Sequence, residues 1–289
     1  MKATQHYTKN NVSYVYATDF GILDISKTFD CGQCFRFEIS SHFENKKEFS
    51  GVAFGKYVVF GQDNNREIYV YNSTLEEFYE IWVGFLALDT DYEELDGHIL
   101  KASPCDHTRL AIECGKGIRI LKQDRWEALC SFIISQNNNI PRIKKIISSI
   151  CQKYGTRVCF LDKIDYSFPS YEVIYKAGVE EIFELKTGFR AKYIYDCAKK
   201  LSEKELDLDK ISSLNLTDAL NELYRVKGIG LKVGSCALLF GFGFLDAFPI
   251  DVHMKRTLEK YYKAGIDLDK LGKVAGLFQQ YLFFYEKYV

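Results

Sequence analysis

The segment Val226-Lys227-Gly228-Ile229-Gly230-Leu231-Lys232-Val233 places an amine two residues beyond a pair of glycines, and Phe248-Pro249-Ile250-Asp251-Val252-His253 follows it with a carboxylate. Gly228 and Gly230 allow a tight turn whose backbone N–H groups converge on one point. At a helix start, such converging donors bind an anion, most naturally a phosphate. Lys232 falls at or near the first turn of that helix, where the positive end of the dipole disfavours its charged form. An amine with a lowered pKa can act as a nucleophile. Asp251 comes nineteen positions later (251 − 232), after a glycine-rich and aromatic stretch able to bring the chain back. A phosphate clamp, an amine and a carboxylate in one short span point to chemistry on nucleic acid.

The hydrophobic periods describe the frame that must hold these groups. Phe35 to Ile39 alternates, and Phe49 to Phe54 leads into the apolar run Lys56 to Gly61. The turn Asp63-Asn64-Asn65 then separates that run from Arg66 to Tyr71 as a hairpin. At Ser73-Thr74-Leu75-Glu76-Glu77 the period changes, with capping-box signals ahead of Phe78, Ile81 and Trp82. Another cap at Asp89 to Glu93 opens a further helix. From about residue 103 the pattern is helical almost to the end. Asp124 to Glu127 is a capping box, Pro141 lies in a first turn, and Gly155 can end that helix. Further helices are expected over 171–185, 190–204, 216–225, 231–241, 251–263 and 268–287. The expectation is an α+β protein: an antiparallel β domain with a few helices over 1–102, then an all-α domain over 103–289, divided near Ser103-Pro104.

The 289 residues suffice for one large domain or two small ones, and the formal net charge is −1. Near-neutrality argues weakly against a nucleic-acid partner, although a local patch can still bind one. No transmembrane run or secretory signal is visible, and the cysteines lie largely in apolar helical patterns where a reduced thiol behaves as a small hydrophobe. The expected compartment is cytoplasmic and reducing. Cys31-Gly32-Gln33-Cys34 is the sole C-x-x-C. No second ligand pair has matching spacing, so a structural or incidental pair is expected there and no metal site.

The glycine hairpin, Lys232 and Asp251 together resemble the helix-hairpin-helix DNA glycosylases that also have lyase activity. Four further segments narrow the resemblance to the 8-oxoguanine DNA glycosylases. These are Cys31 to Arg36, Phe132 to Ile143, Thr187 to Tyr193, and Ala275 to Phe283. The matches run in order from about residue 25 to the C-terminus. A lone G-x-G would be weak; five ordered motifs are specific.

The resemblance implies a sheet domain similar to half of the TATA-binding protein, packed on a helical domain with the active site between them. It implies a double-stranded DNA substrate containing 8-oxoguanine, whose damaged nucleotide is extruded from the stack, and a monomeric enzyme needing no cofactor. An iron–sulfur cluster held by a C-terminal four-cysteine motif marks a sister branch; here no cysteine follows Cys236. By the same resemblance, Lys232 attacks C1′ to leave a Schiff base and Asp251 stabilises the cationic sugar. The Gly32 carbonyl accepts the N7–H that guanine lacks. Phe283 and Cys236 sandwich the base, and Gln279 reads its Watson–Crick edge. Asn137 fills the vacated stack, and with Arg142 and Arg190 it addresses the orphaned cytosine. Phe189 stands where the family often has a tyrosine wedge, while Gly228, Gly230 and His253 hold the backbone.

Bland readings stand beside these. Asp251 also reads as a helix N-cap, Phe283 and Cys236 as core, and the arginines as phosphate contacts or a solvated face. A monofunctional alkylated-base glycosylase would use Asp251 with water and have no need of Lys232. A non-catalytic helix-hairpin-helix module would use neither.

Overall fold

The computed structural model describes residues 1–263 and 265–288. The strand-like first part forms β1 (Lys2–Tyr7), β2 (Ser13–Thr18), β3 (Phe37–Ile39), β4 (Lys47–Ala53), β5 (Lys56–Gln62) and β6 (Glu67–Tyr71). They make one antiparallel sheet in the order β1-β2-β6-β5-β4-β3. The turn between β4 and β5 is two residues long, with Ala53 opposite Lys56, and Phe54 and Gly55 both have positive φ. That is the turn whose twist matches a right-handed hairpin.

The run Tyr57 to Gly61 is apolar because β5 is buried on both faces there. Val58 and Phe60 join Phe29, Phe37, Phe49 and Phe85 under the sheet. Each such ring removed from water is worth roughly 1.5–3 kcal/mol. Tyr57 and Val59 point the other way, towards Phe160. Phe160 belongs to a hairpin of β7 (Arg157–Phe160) and β8 (Lys163–Tyr166), which interrupts the helical part and returns to cover the sheet. The second domain is helical as expected apart from this one inserted hairpin, which the sequence pattern did not show. Each strand has only four residues, too few to display a period of two above the surrounding helical pattern.

The helix boundaries follow their caps. Thr74 and Glu77 form a complete capping box. Asp124 accepts from the Glu127 N–H to start Arg125–Ser135, and Asn139 caps Ile140–Tyr154, which carries Pro141 in its first turn and closes at Gly155. The helix Tyr92–Ala102 lends Tyr92 and Ile99 to the helical core, whereas Leu121 reaches back into the sheet core. Ser103-Pro104, the expected boundary, is therefore a loop between two helices of one layer, Tyr92–Ala102 and Asp106–Gly115. The C-terminal helix Ala275–Tyr288 packs along Asp106–Gly115 and runs past the junction of the two layers.

Candidate active site

The glycine turn is held from below. Gly228 has φ +80°, and a Cβ there would lie 2.3 Å from the Tyr193 ring, so both backbone conformation and contact require glycine. Asp196, buried on the helix Arg190–Ser202, accepts from the Lys227 N–H at 2.9 Å and pairs with Lys200 at 3.3 Å. Gly230 is the N-cap of Leu231–Ala237 and offers no capping side chain. A Cβ on Gly230 would meet nothing within 4 Å, and no backbone acceptor for the Gly228 or Gly230 N–H is found among the described residues.

Lys232 is half-buried in that first turn, and its ammonium points at Ser135 Oγ, 3.5 Å away. The Ser135 hydroxyl donates to the Phe132 carbonyl at 2.8 Å, so the oxygen is left with lone pairs for the amine. Asp251 starts the helix Val252–Tyr261, its Oδ1 accepting from the Met254 N–H at 2.8 Å. The N-cap reading of Asp251 thus holds, and it orients the carboxylate.

Lys232 and Asp251 line a cavity of about 490 Å³ together with Gly32, Cys236, His253, Gln279 and Phe283. Such a volume suits a small planar ligand. Gly32 comes from the sheet side, with φ +81°, and a Cβ there would approach Phe283 Cε1 to 3.6 Å. Burial pushes the Cys236 thiol up to about 11 against the opposing charge of Lys232, so at neutral pH it is an uncharged, polarizable face. Gln279 is 6% exposed, and no partner for its amide is found among the described residues. It lines the cavity, where its donors and acceptor are open to a polar edge brought into it. A separate cavity of about 600 Å³ behind the C-terminal helix, lined by Asp89, Asp96 and Arg119, contains none of these groups.

The remaining expected residues, Asn137, Arg142, Phe189 and Arg190, do not line this cavity. Asn137 stands exposed at φ +45° in the turn between Arg125–Ser135 and Ile140–Tyr154. Arg142 is exposed one turn into the second of these helices. Phe189 is half exposed, edge-on to Tyr193, with the Arg190 guanidinium 4.5 Å from its ring centre. Arg190, expected beside Arg142 as a reader of the orphaned cytosine, is placed otherwise. It is buried, and its donors go to the carbonyls of Gln136, Asn137 and Thr187. It braces the Asn137 turn from beneath.

Spacing alone did not single out the residues that lock the Gly32 loop. Gln33, fully buried, donates to the carbonyls of Thr28 (2.9 Å) and Arg119 (2.8 Å) and accepts from the Leu121 N–H (2.9 Å). Arg36 reaches Glu127 (3.3 Å), Cys151 Sγ (3.1 Å) and the Tyr166 carbonyl (2.6 Å). Cys31 and Cys34 are buried in different cores, Cys31 with the helices and Cys34 under the sheet.

A glycine hairpin feeding a lysine-bearing helix, an aspartate heading a later helix, and a sheet domain closing the cleft define a helix-hairpin-helix base-excision glycosylase. Residues 130–271 match the family described as HhH-GPD superfamily base excision DNA repair protein. Residues 16–129 match 8-oxoguanine DNA glycosylase, N-terminal domain. The chain belongs to the 8-oxoguanine DNA glycosylase family. The 8-oxoguanine glycosylase/lyase of Clostridium acetobutylicum in its apo form is 33% identical, with a TM-score of 0.89 and 99% of each chain covered. The protein MBOgg1, solved with a low-affinity DNA ligand, is 34% identical, with a TM-score of 0.90 and 99% of each chain covered. The N-glycosylase/DNA lyase of Saccharomyces cerevisiae is 33% identical over 171 residues, 55% of this chain and 46% of that protein. The match thus spans about half the length of that curated relative.

Proposed function

We propose that this chain excises 8-oxoguanine paired with cytosine from duplex DNA by attack of the Lys232 amine, and then cleaves the abasic strand. The observation that carries the reading is that a single cavity is lined by the amine and carboxylate of the helical domain and by Gly32 of the sheet domain. A further support is the Clostridium acetobutylicum relative, 33% identical, whose structure has been solved with double-stranded DNA containing cytosine opposite 8-oxoguanine.

In the proposed reaction the damaged nucleotide leaves the stack and its base enters between Cys236 and Phe283. The unprotonated Lys232 amine forms a bond to C1′ as the C1′–N9 bond breaks, and the departing purine takes up a proton. Asp251 stabilises the positive charge on the sugar in the transition state. Loss of the ring oxygen from C1′ gives a Schiff base, and removal of a C2′ proton expels the 3′ phosphate by β-elimination. Gly32 accepts from the N7–H of 8-oxoguanine, whereas guanine would set a lone pair against that carbonyl. Gln279 pairs with the Watson–Crick edge. The open N–H groups around Gly228 and Gly230, with His253, hold phosphates without reading sequence. Asn137 and Phe189 occupy the disturbed stack, and Arg142 addresses the orphaned cytosine, whose O2 and N3 accept hydrogen bonds. Every named group comes from one chain, so a monomer suffices.

The test is single-turnover release of free base from duplexes carrying 8-oxoguanine or 3-methyladenine, with each of the four bases opposite the lesion. Fastest release of 8-oxoguanine opposite cytosine is expected. Release of 3-methyladenine but not 8-oxoguanine would overturn the reading in favour of an alkylated-base glycosylase.

A further inference from the structure

Gln280 follows Gln279 on the C-terminal helix and also borders the cavity, yet its amide is already engaged. It is 2% exposed, and Nε2 donates to the Cys31 carbonyl at 2.9 Å. That carbonyl can only accept, so the atom facing it must be the amide nitrogen. Cys31 O belongs to the peptide that leads into Gly32. On the other side, the Gln33 side chain is tied to Thr28, Arg119 and Leu121, and the Gln33 carbonyl accepts from Gln123 Nε2 at 2.7 Å. Gly32 itself, at φ +81°, has the freedom to swing its own carbonyl. The peptide before it is tied to the C-terminal helix through Gln280, and the residue after it to the loop from Arg119 to Gln123.

We infer that Gln280 is a specificity-positioning residue, holding the Cys31–Gly32 peptide so that the Gly32 carbonyl is presented to N7 of the bound purine. The inference rests on the proposed reading of N7–H by Gly32. It ties discrimination to the helix that carries Gln279 and Phe283, so the reader of the Watson–Crick edge and the reader of N7 share one support.

The experiment compares the unmodified chain with Gln280→Met, which has similar length and volume but no donor. Single-turnover release of base is measured on 8-oxoguanine and guanine duplexes. Strand cleavage is measured on a duplex with a preformed abasic site, where there is no base to recognise. Gln280→Met should release 8-oxoguanine about tenfold more slowly, the size expected from one buried acceptor left unpaired, with preference over guanine reduced and abasic-site cleavage unchanged. Unchanged 8-oxoguanine release and preference in Gln280→Met would overturn the inference alone. A parallel loss of base release and abasic-site cleavage would overturn it too, by showing general damage to the fold. If the unmodified chain does not prefer 8-oxoguanine to guanine, the Gly32 reading fails first and the inference falls with it.

Discussion

Lys232 Nζ stands 3.5 Å from Ser135 Oγ, and Ser135 is the one side chain found within hydrogen-bonding reach of the amine among the described residues. The hydroxyl oxygen accepts from the amine and so orients it within the cavity. The Ser135 proton is committed to Phe132, so the serine oxygen is a fixed acceptor and not a rotating one. Ser135→Ala should slow base release severalfold, in line with one modest hydrogen bond of about 1 kcal/mol, and leave duplex binding intact. Single-turnover rates and binding isotherms check this; an unchanged rate would remove Ser135 from the positioning of the amine.

Asp251 caps a helix and, in the proposed reaction, also stabilises the sugar cation, and substitution can separate the two. Asparagine caps a helix as well as aspartate does, so Asp251→Asn should keep the Met254 N–H bond and the melting temperature. The loss of negative charge should lower the excision rate by about 10²–10⁴-fold. Thermal melts and single-turnover kinetics on one preparation decide the point, and a fall in stability that matches the fall in rate would reduce Asp251 to a cap.

Arg142 and Arg190 should respond differently to truncation. Arg142 is exposed, and Arg142→Ala should weaken the preference for cytosine about tenfold, the value of one good base contact. Arg190 holds the carbonyls of Gln136, Asn137 and Thr187. Arg190→Ala should therefore lower activity against every opposite base and reduce thermal stability. Excision rates with the four opposite bases separate the two patterns; loss confined to cytosine pairs in Arg190→Ala would return it to base reading.

Asp96 supports the C-terminal helix from behind, accepting from the Tyr281 hydroxyl at 2.9 Å. Burial pushes its carboxyl up to about 6, against the lowering effect of that hydrogen bond. The fold thus holds this proton more tightly than the unfolded chain, where the value is about 3.9. Its contribution favours the fold fully below that value and is lost as pH rises through about 6. Asp96→Asn keeps an acceptor for Tyr281 and removes the titration. The variant's melting temperature should gain on that of the unmodified chain between about pH 4 and 6. A difference independent of pH would assign the effect to packing.

Part of the site's frame was legible because it is constrained locally. Gly228 takes a positive φ and Asp251 caps a helix, both short-range features that the sequence marks, whereas spacing alone reads Lys232 only as a lysine beginning a helix and the resemblance supplied its role. The helix starts at Thr74 and Asp124 were legible for the same reason: a cap is a contact within four residues. What the pattern did not reveal depends on distant backbone. Gln33 and Arg36 meet partners about ninety or more positions away, and Gln280 meets Cys31 across the chain, so no period marks them. Arg190 shows the opposite failure. An arginine in a binding motif reads as a free donor, and only the path of the Asn137 turn reveals that its donors are already engaged. The β7–β8 hairpin escaped notice because its burial is set by the sheet it covers.

The central claim is that the Lys232 amine becomes covalently joined to the sugar. Borohydride reduction during turnover of an 8-oxoguanine·cytosine duplex fixes such a Schiff base as a stable adduct. The unmodified chain should yield that adduct, and Lys232→Gln, still able to bind the duplex, should yield none and lose base release with it. Adduct formation in Lys232→Gln, or base release at the unmodified rate, would contradict the account.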